Sequence, residues 1–155
     1  MTVADSSDES YVRRAMVLAE RAAVNGDVPI GAILTCDDTV FEAFNEKERR
    51  PDPTAHAEIL ALQGAARALE RWRFTDATLY VTKEPCVMCA GAMIAARIKR
   101  LVYGCADPKG GAAGSVIDIF TLAQVNHRVE VIGGVLADTT AAQLQAFFAA
   151  KRGNV

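Results

Sequence analysis

The chain has no apolar run long enough to cross a bilayer, so no membrane-spanning helix is expected. Nor does it open with a basic stretch followed by an apolar core. Residues 1–10 are polar and acidic, so no secretory signal is read and a cytoplasmic location is expected. Cysteine is sparse: the 155 residues include four, Cys36, Cys86, Cys89 and Cys105. A chain of this length can bury a substantial core, so a disulfide framework is not expected, and thiols in a reducing compartment fit better. An excess of positive charge is also missing. The 17 Lys and Arg are outnumbered by 19 Asp and Glu, a net charge of -2, which excludes whole-molecule steering of a polyanion. Internal repeats and linkers are absent, so residues 1–155 read as one domain with 1–7 as a loose tail.

What is present is an ordinary composition, 51% hydrophobic and 23% charged. Val12, Ala15, Met16, Ala19 and Ala23 follow helical spacing, predicting an amphipathic helix over 8–23 that ends at Asn25-Gly26. Residues 28–35 and 39–45 read as strands joined by an Asp37-Asp38 turn. A polar loop over 46–53 leads to a helix over 54–69, then a strand over 77–82. Pro85 fits the first turn of a helix running to about Arg97. A strand over 100–104, a glycine- and alanine-rich loop over 105–115, a last strand within 129–136 and a helix over 140–151 complete the chain. A hairpin followed by strand and helix alternation implies an α/β sandwich on a mixed sheet. Basic residues cluster at Lys47, Arg49 and Arg50, at Arg71 and Arg73, at Arg97, Lys99 and Arg100, and at Lys151 and Arg152. Each reads as a solvated face unless several converge in space.

The most informative pattern is His56-Ala57-Glu58 followed by Pro85-Cys86-Val87-Met88-Cys89. His56, Cys86 and Cys89 are three nitrogen and sulfur donors, one short of a closed tetrahedral zinc site, so water can take the fourth position. Cys86 and Cys89 are one helical turn apart and face the same side. Glu58 is left free to move protons. H-x-E with P-C-x-x-C is the spacing of zinc-dependent nucleobase deaminases, in which the metal lowers the pKa of bound water to about 7. Glu58 would accept the water's proton and pass it to a ring nitrogen and the departing amine, work that contributes about 10²–10⁴-fold. The structural alternative is a closed zinc knuckle with His127, Cys36 or Cys105 as fourth ligand.

These motifs, with Asp27-Val28-Pro29-Ile30-Gly31-Ala32, Asn45, the glycine-alanine loop ending Gly114-Ser115, Asn126-His127-Arg128 and Phe147-Phe148, resemble bacterial tRNA-specific adenosine deaminases of the TadA type. That family lies within the cytidine deaminase-like superfamily. The resemblance covers nearly the whole chain. It implies a three-layer α/β/α sandwich around a five-stranded mixed sheet, one zinc ion per chain, a homodimer, and a tRNA anticodon stem-loop whose wobble adenosine becomes inosine. By the same resemblance zinc-bound hydroxide attacks C6 with Glu58 as proton shuttle. Asn45 would hydrogen-bond the flipped base, Val28, Ala57 and Pro85 would line its pocket, and Asp107 and Lys109 would lie near the RNA. The chain departs from the family pattern at Lys83, where leucine or valine is common, at Cys105, where a small residue is common, and at Ala149, where an arginine often follows the paired phenylalanines.

Two other functions stay open on the residues alone. One is deamination of free guanine or cytosine compounds on the same scaffold, and the other is a non-catalytic zinc-dependent interaction module, against which Glu58 argues. The segment Ala90-Gly91-Ala92-Met93-Ile94-Ala95-Ala96 is small and apolar all round, so it must be covered on more than one side. Other elements of the same chain or the second subunit of a two-fold homodimer would cover it, and the resemblance favours the dimer.

Overall fold

The computed structural model describes residues 4–153, so part of the expected N-terminal tail, residues 1–3, lies outside the described residues. Helix α1 (Ser6–Val24) starts two residues earlier than its apolar spacing suggests. Asp5 caps it: its Oδ1 accepts the Asp8 N–H at 2.9 Å, and Asp8 Oδ2 accepts the Asp5 N–H at 3.1 Å. Asp8 is fully buried and bidentate to Arg100, at 2.7 and 2.6 Å. The cap of α1 is thereby tied to the sheet.

Strand β1 (Gly31–Cys36) begins later than expected. Pro29 has no N–H for a ladder, and the Ile30 N–H turns back to the Val28 carbonyl at 2.8 Å. Gly31 is required where β1 passes under α1, because a Cβ there would lie 1.9 Å from the Ala15 carbonyl oxygen. β2 (Thr39–Phe44) returns antiparallel through the Asp37-Asp38 turn, with Asp37 at φ +54°. α2 (Ala57–Leu69) follows, ending at Glu70 in the left-handed conformation. β3 (Ala77–Lys83), α3 (Val87–Ala95), β4 (Arg100–Cys105), β5 (Glu130–Ile132) and α4 (Ala137–Gly153) complete the order. β5 is shorter than expected because Gly133 leaves the ladder against Tyr103, where a Cβ would lie 2.3 Å from the ring, and Gly134 turns at φ +83°.

The five strands of the described residues form one mixed sheet, as expected, and its order is β2-β1-β3-β4-β5. β1 is antiparallel to β2 and β3, whereas β3, β4 and β5 are parallel. Alternation along the strands divides the core. Ala32, Leu34, Leu79, Val81 and Leu101 pack beneath α2 and α3, while Ile33, Tyr80, Val102 and Ile132 face α1. α4 joins the α1 side: Gln143 Nε2 donates to the Met16 carbonyl at 3.0 Å, and a Cβ on Gly104 would sit 2.6 Å from Thr140 Oγ1. This is the α/β/α sandwich. Its parallel strands β3 and β4 end side by side at Lys83 and Cys105, the edge at which ligands bind in open α/β sheets.

Candidate active site

The loops after β2 and β3 bring both helix starts to this edge. His56 is the N-cap of α2 and Cys86 the N-cap of α3. Pro85, expected in the first turn of α3, instead sits one residue before that cap. Cys86 is extended at φ -76°, ψ 175°, and the Pro85 carbonyl accepts the Ala112 N–H at 2.8 Å. His56 Nδ1 lies 3.7 Å from Cys86 Sγ and 3.5 Å from Cys89 Sγ. A tetrahedral zinc with Zn–S of about 2.3 Å and Zn–N of about 2.0 Å requires N···S separations of about 3.5 Å. All three donor atoms lie within 4.8 Å of one another, so the cluster is able to bind a metal and fits zinc.

The electrostatics favour ligation. The Cys86 thiol is lowered to about 3, chiefly because the Cys89 thiol donates to it, and also by His56, with burial opposing. Cys89 is raised in turn by that same shared proton and by its burial. His56 is raised, mainly by its hydrogen bond with Cys86. A metal would displace the protons this triad shares.

Glu58 follows His56 by two residues. It is 3% exposed, and its Oε1 has no hydrogen-bond partner. Burial raises its pKa, partly offset by nearby polar groups. An unpartnered buried carboxylate oxygen is expensive to keep unless it serves chemistry.

Asn45 is 2% exposed. Its Oδ1 accepts the Ala57 N–H at 2.8 Å, so it caps α2 from the end of β2 in place of His56, which makes no side-chain cap bond. Among the described residues its amide nitrogen makes no protein hydrogen bond. Ala57 is fully buried and its N–H is thus taken. Val28 is half-buried and Pro85 buried at the same edge. Asp27, given no role of its own from the sequence, ties Val28 to the loop after β2: its carboxylate accepts from Val28 N at 2.9 Å and Glu48 N at 3.0 Å.

The loop over 105–115 is organised by Glu84, for which sequence reasoning assigned no role. Glu84 is 2% exposed and accepts from Asp107 N at 3.0 Å, Ala113 N at 2.9 Å, Ser115 N at 3.1 Å and the Ser115 hydroxyl. Burial pushes its pKa up, but the Ser115 hydroxyl and the three N–H groups outweigh it and hold the carboxyl low. The position directly before Pro-Cys-x-x-Cys was the available signal. Gly111 is needed against it, since a Cβ there would lie 2.3 Å from the carboxyl carbon. Asp107 folds the tip, accepting from Lys109 N at 3.0 Å and Gly110 N at 3.2 Å, and pairs with Lys83 Nζ at 3.0 Å. The Lys109 side chain is exposed.

The other candidate ligands lie outside the triad. Cys105 Sγ points at the Thr82 carbonyl, 3.8 Å away. His127 Nε2 bonds the Ile98 carbonyl at 2.7 Å. Cys36 groups with Asp37 and Asp76, but the guanidinium of Arg71 already occupies that cluster, 2.6 Å from Cys36 Sγ and 3.0 Å from Asp76 Oδ2. Burial pushes the Cys36 thiol up to about 11, so it stays protonated. Nor do the basic clusters converge as a whole. Arg50 pairs with Glu46, Arg71 with Asp76 and Arg100 with Asp8.

The sandwich, the His/Cys/Cys triad and the unpartnered glutamate beside it define the cytidine deaminase-like class. A family model for MafB19-like deaminases matches residues 6–152. A tRNA-specific adenosine deaminase of Haemophilus influenzae is 45% identical over 94% of this chain and 85% of its own, and one of Bacillus subtilis is 42% identical over 92% and 89%. A solved structure from studies of A-to-I editing by tRNA:A34 deaminases at the wobble position of transfer RNA superposes with a TM-score of 0.84. It is 41% identical, covering 87% of this chain and 99% of that one. The chain belongs to the deaminase family of the bacterial tRNA-specific adenosine deaminases.

Proposed function

We propose that the protein hydrolyses the exocyclic amine of adenosine at the wobble position of a tRNA anticodon, giving inosine and ammonia. The observation that carries this reading is the Glu58 oxygen without a partner beside a three-donor site of tetrahedral zinc dimensions. His56, Cys86 and Cys89 hold one zinc ion per chain. That ion supplies, when bound, a Lewis acid that makes water nucleophilic at neutral pH.

The protein's own groups do the rest. Glu58 takes the water's proton and delivers it to the purine ring as the C6–O bond forms. It then takes the remaining proton from the new C6 hydroxyl and hands it to the amine, which leaves as ammonia as the C6–N bond breaks and C6=O forms. Its burial raises its basicity toward the working pH. Asn45 offers its amide nitrogen to the base while its oxygen keeps α2 in place. Val28, Ala57 and Pro85 wall the pocket, Ala57 by its buried methyl. Asp107 and Lys109, in the loop after β4 that Asp107 folds by accepting the Lys109 N–H, would meet the RNA strand. An adenosine must be turned out of its stack to enter, and an unpaired anticodon loop makes that easiest.

A cleft of about 390 Å³ between α2 and α3, lined by Ile59, Ala66, Trp72, Phe74 and Ala92, supports a homodimer closed over this face. Trp72 is 60% exposed in the single chain. No helix among the described residues is long and apolar enough to cross a membrane, and a tRNA substrate supports a cytoplasmic location. The deciding experiment incubates the purified protein separately with a wobble-adenosine anticodon stem-loop, free guanine and cytidine, and measures inosine and ammonia. Inosine from the stem-loop alone is expected. Ammonia from guanine without inosine from RNA overturns the reading. Light scattering tests the dimer, and a monomer mass at micromolar concentration refutes it.

A further inference from the structure

A groove of about 800 Å³ runs between the 105–110 loop and α4, and Lys83, Cys105, Asp107, Lys109, Phe148 and Arg152 contribute to its walls. Three cations meet one carboxylate here, in a chain whose net charge is -2. The cations come from three different elements, β3, the loop and α4. Lys83 is the one that joins the groove to the candidate active site. It is the last residue of β3, pairs in register with Cys105 of β4, and precedes Cys86 by three positions.

Its ammonium lies 3.0 Å from Asp107 Oδ2, with the side chain only 25% exposed. Asp107 is fixed through its other oxygen by Lys109 N and Gly110 N, so it holds Lys83 at the foot of the groove instead of letting it extend into solvent. An ammonium has three donors, and one is engaged there. Phe148, 40% exposed, gives the same groove an aromatic face. Spaced cations beside an aromatic ring suit a strand with repeated negative charge and bases between.

We infer that Lys83 is a substrate-binding residue of this chain, holding a phosphate of the RNA strand beside the reacting nucleotide within this groove. The inference rests on the RNA-deaminating function proposed above. Asp107 positions Lys83, and an arriving phosphate shares its remaining donors.

The test is steady-state deamination of a wobble-adenosine anticodon stem-loop by the zinc-loaded protein across a salt series. Lys83→Gln, with Lys83→Met as a second neutral variant should the first fail to load zinc, is expected to raise KM about tenfold at low salt, the size of one charge-assisted contact. The effect should fall on KM and leave kcat within about twofold. The slope of log(1/KM) against log salt should become shallower by about 0.7, one single-strand phosphate. Lys83→Arg should restore both. An unchanged KM and slope overturns the inference while wild-type inosine formation still stands. A raised KM with an unchanged slope also overturns it, because Lys83 would then only brace the loop through Asp107. If wild-type protein makes no inosine from the stem-loop, the RNA function itself fails and takes this inference with it.

Discussion

Glu58 and Glu84 are both buried glutamates, 3% and 2% exposed, and each stands two residues from a donor of the metal cluster. Their surroundings are opposite. Glu84 receives three backbone N–H groups and a hydroxyl. Glu58 keeps an oxygen with no partner. A carboxylate that satisfies its neighbours is a structural brace, and one left unsatisfied is held for a reaction. The pair therefore separates folding from chemistry within a few residues of one site.

The largest expected effect comes from the unsatisfied member. Glu58→Ala should lower inosine formation by at least about 10²-fold while zinc content and melting temperature hold, because it removes a proton carrier and no metal ligand. Stripping the metal with a chelator should bring parent and variant to the same baseline. A Glu58 variant with near-normal turnover would break the comparison at its first term.

Glu84→Ala should do the reverse. It orphans three N–H groups in the 105–115 loop, and unfolding free energy should fall by roughly 3–5 kcal/mol in denaturant titration. Any lost activity should follow the loss of folded loop, seen as faster amide exchange at Ala113 and Ser115.

Asp8 extends the satisfied class to a carboxylate at the far end of the sheet. Its hydrogen bonds from Arg100 lower its pKa below the ordinary 3.8, against its burial. A lowered folded pKa gives stability that is present above the unfolded value and lost as pH falls through the folded one. The stability gap between parent and Asp8→Asn, about 2–3 kcal/mol at neutral pH, should therefore narrow below about pH 4 in acid titration of metal-free protein. A gap that widens in acid would contradict the assignment.

The smallest effect tests Asn45, which belongs to both classes. Asn45→Ala removes the cap on Ala57 and should reduce stability by about 1 kcal/mol as well as turnover. Asn45→Asp keeps an acceptor and loses the amide donor, so it should retain more stability than the alanine variant while remaining as poor a catalyst. Equal activity in parent and Asp variant would remove the base-reading role.

Most of the fold was legible because apolar spacing reports which face is buried. The five strands and four helices fall close to their expected positions. The errors lie at ends, where a single bond decides: the Asp5 cap added residues to α1, Pro29 delayed β1, and Gly133 truncated β5. Pro85 was placed inside α3 because proline suits a first turn, yet the helix starts after Cys86. In the site, His56, Glu58, Cys86 and Cys89 were readable because close spacing along a helix start brings donors to one side. Glu84 and Asp27 were not, because most of their partners are backbone N–H groups 21 to 31 residues away, which carry no side-chain signature.

By itself the sequence determined the donor set, the free carboxylate, the sandwich and the family. Those depend on residue identity and local period, which folding does not alter. Only the tertiary structure decided that Asn45 caps α2, that Arg71 occupies the cluster around Cys36, and that Lys83 shares one groove with Lys109 and Arg152. Each of these joins segments distant in the chain, and such meetings are set by strand order and helix packing, which no local pattern records.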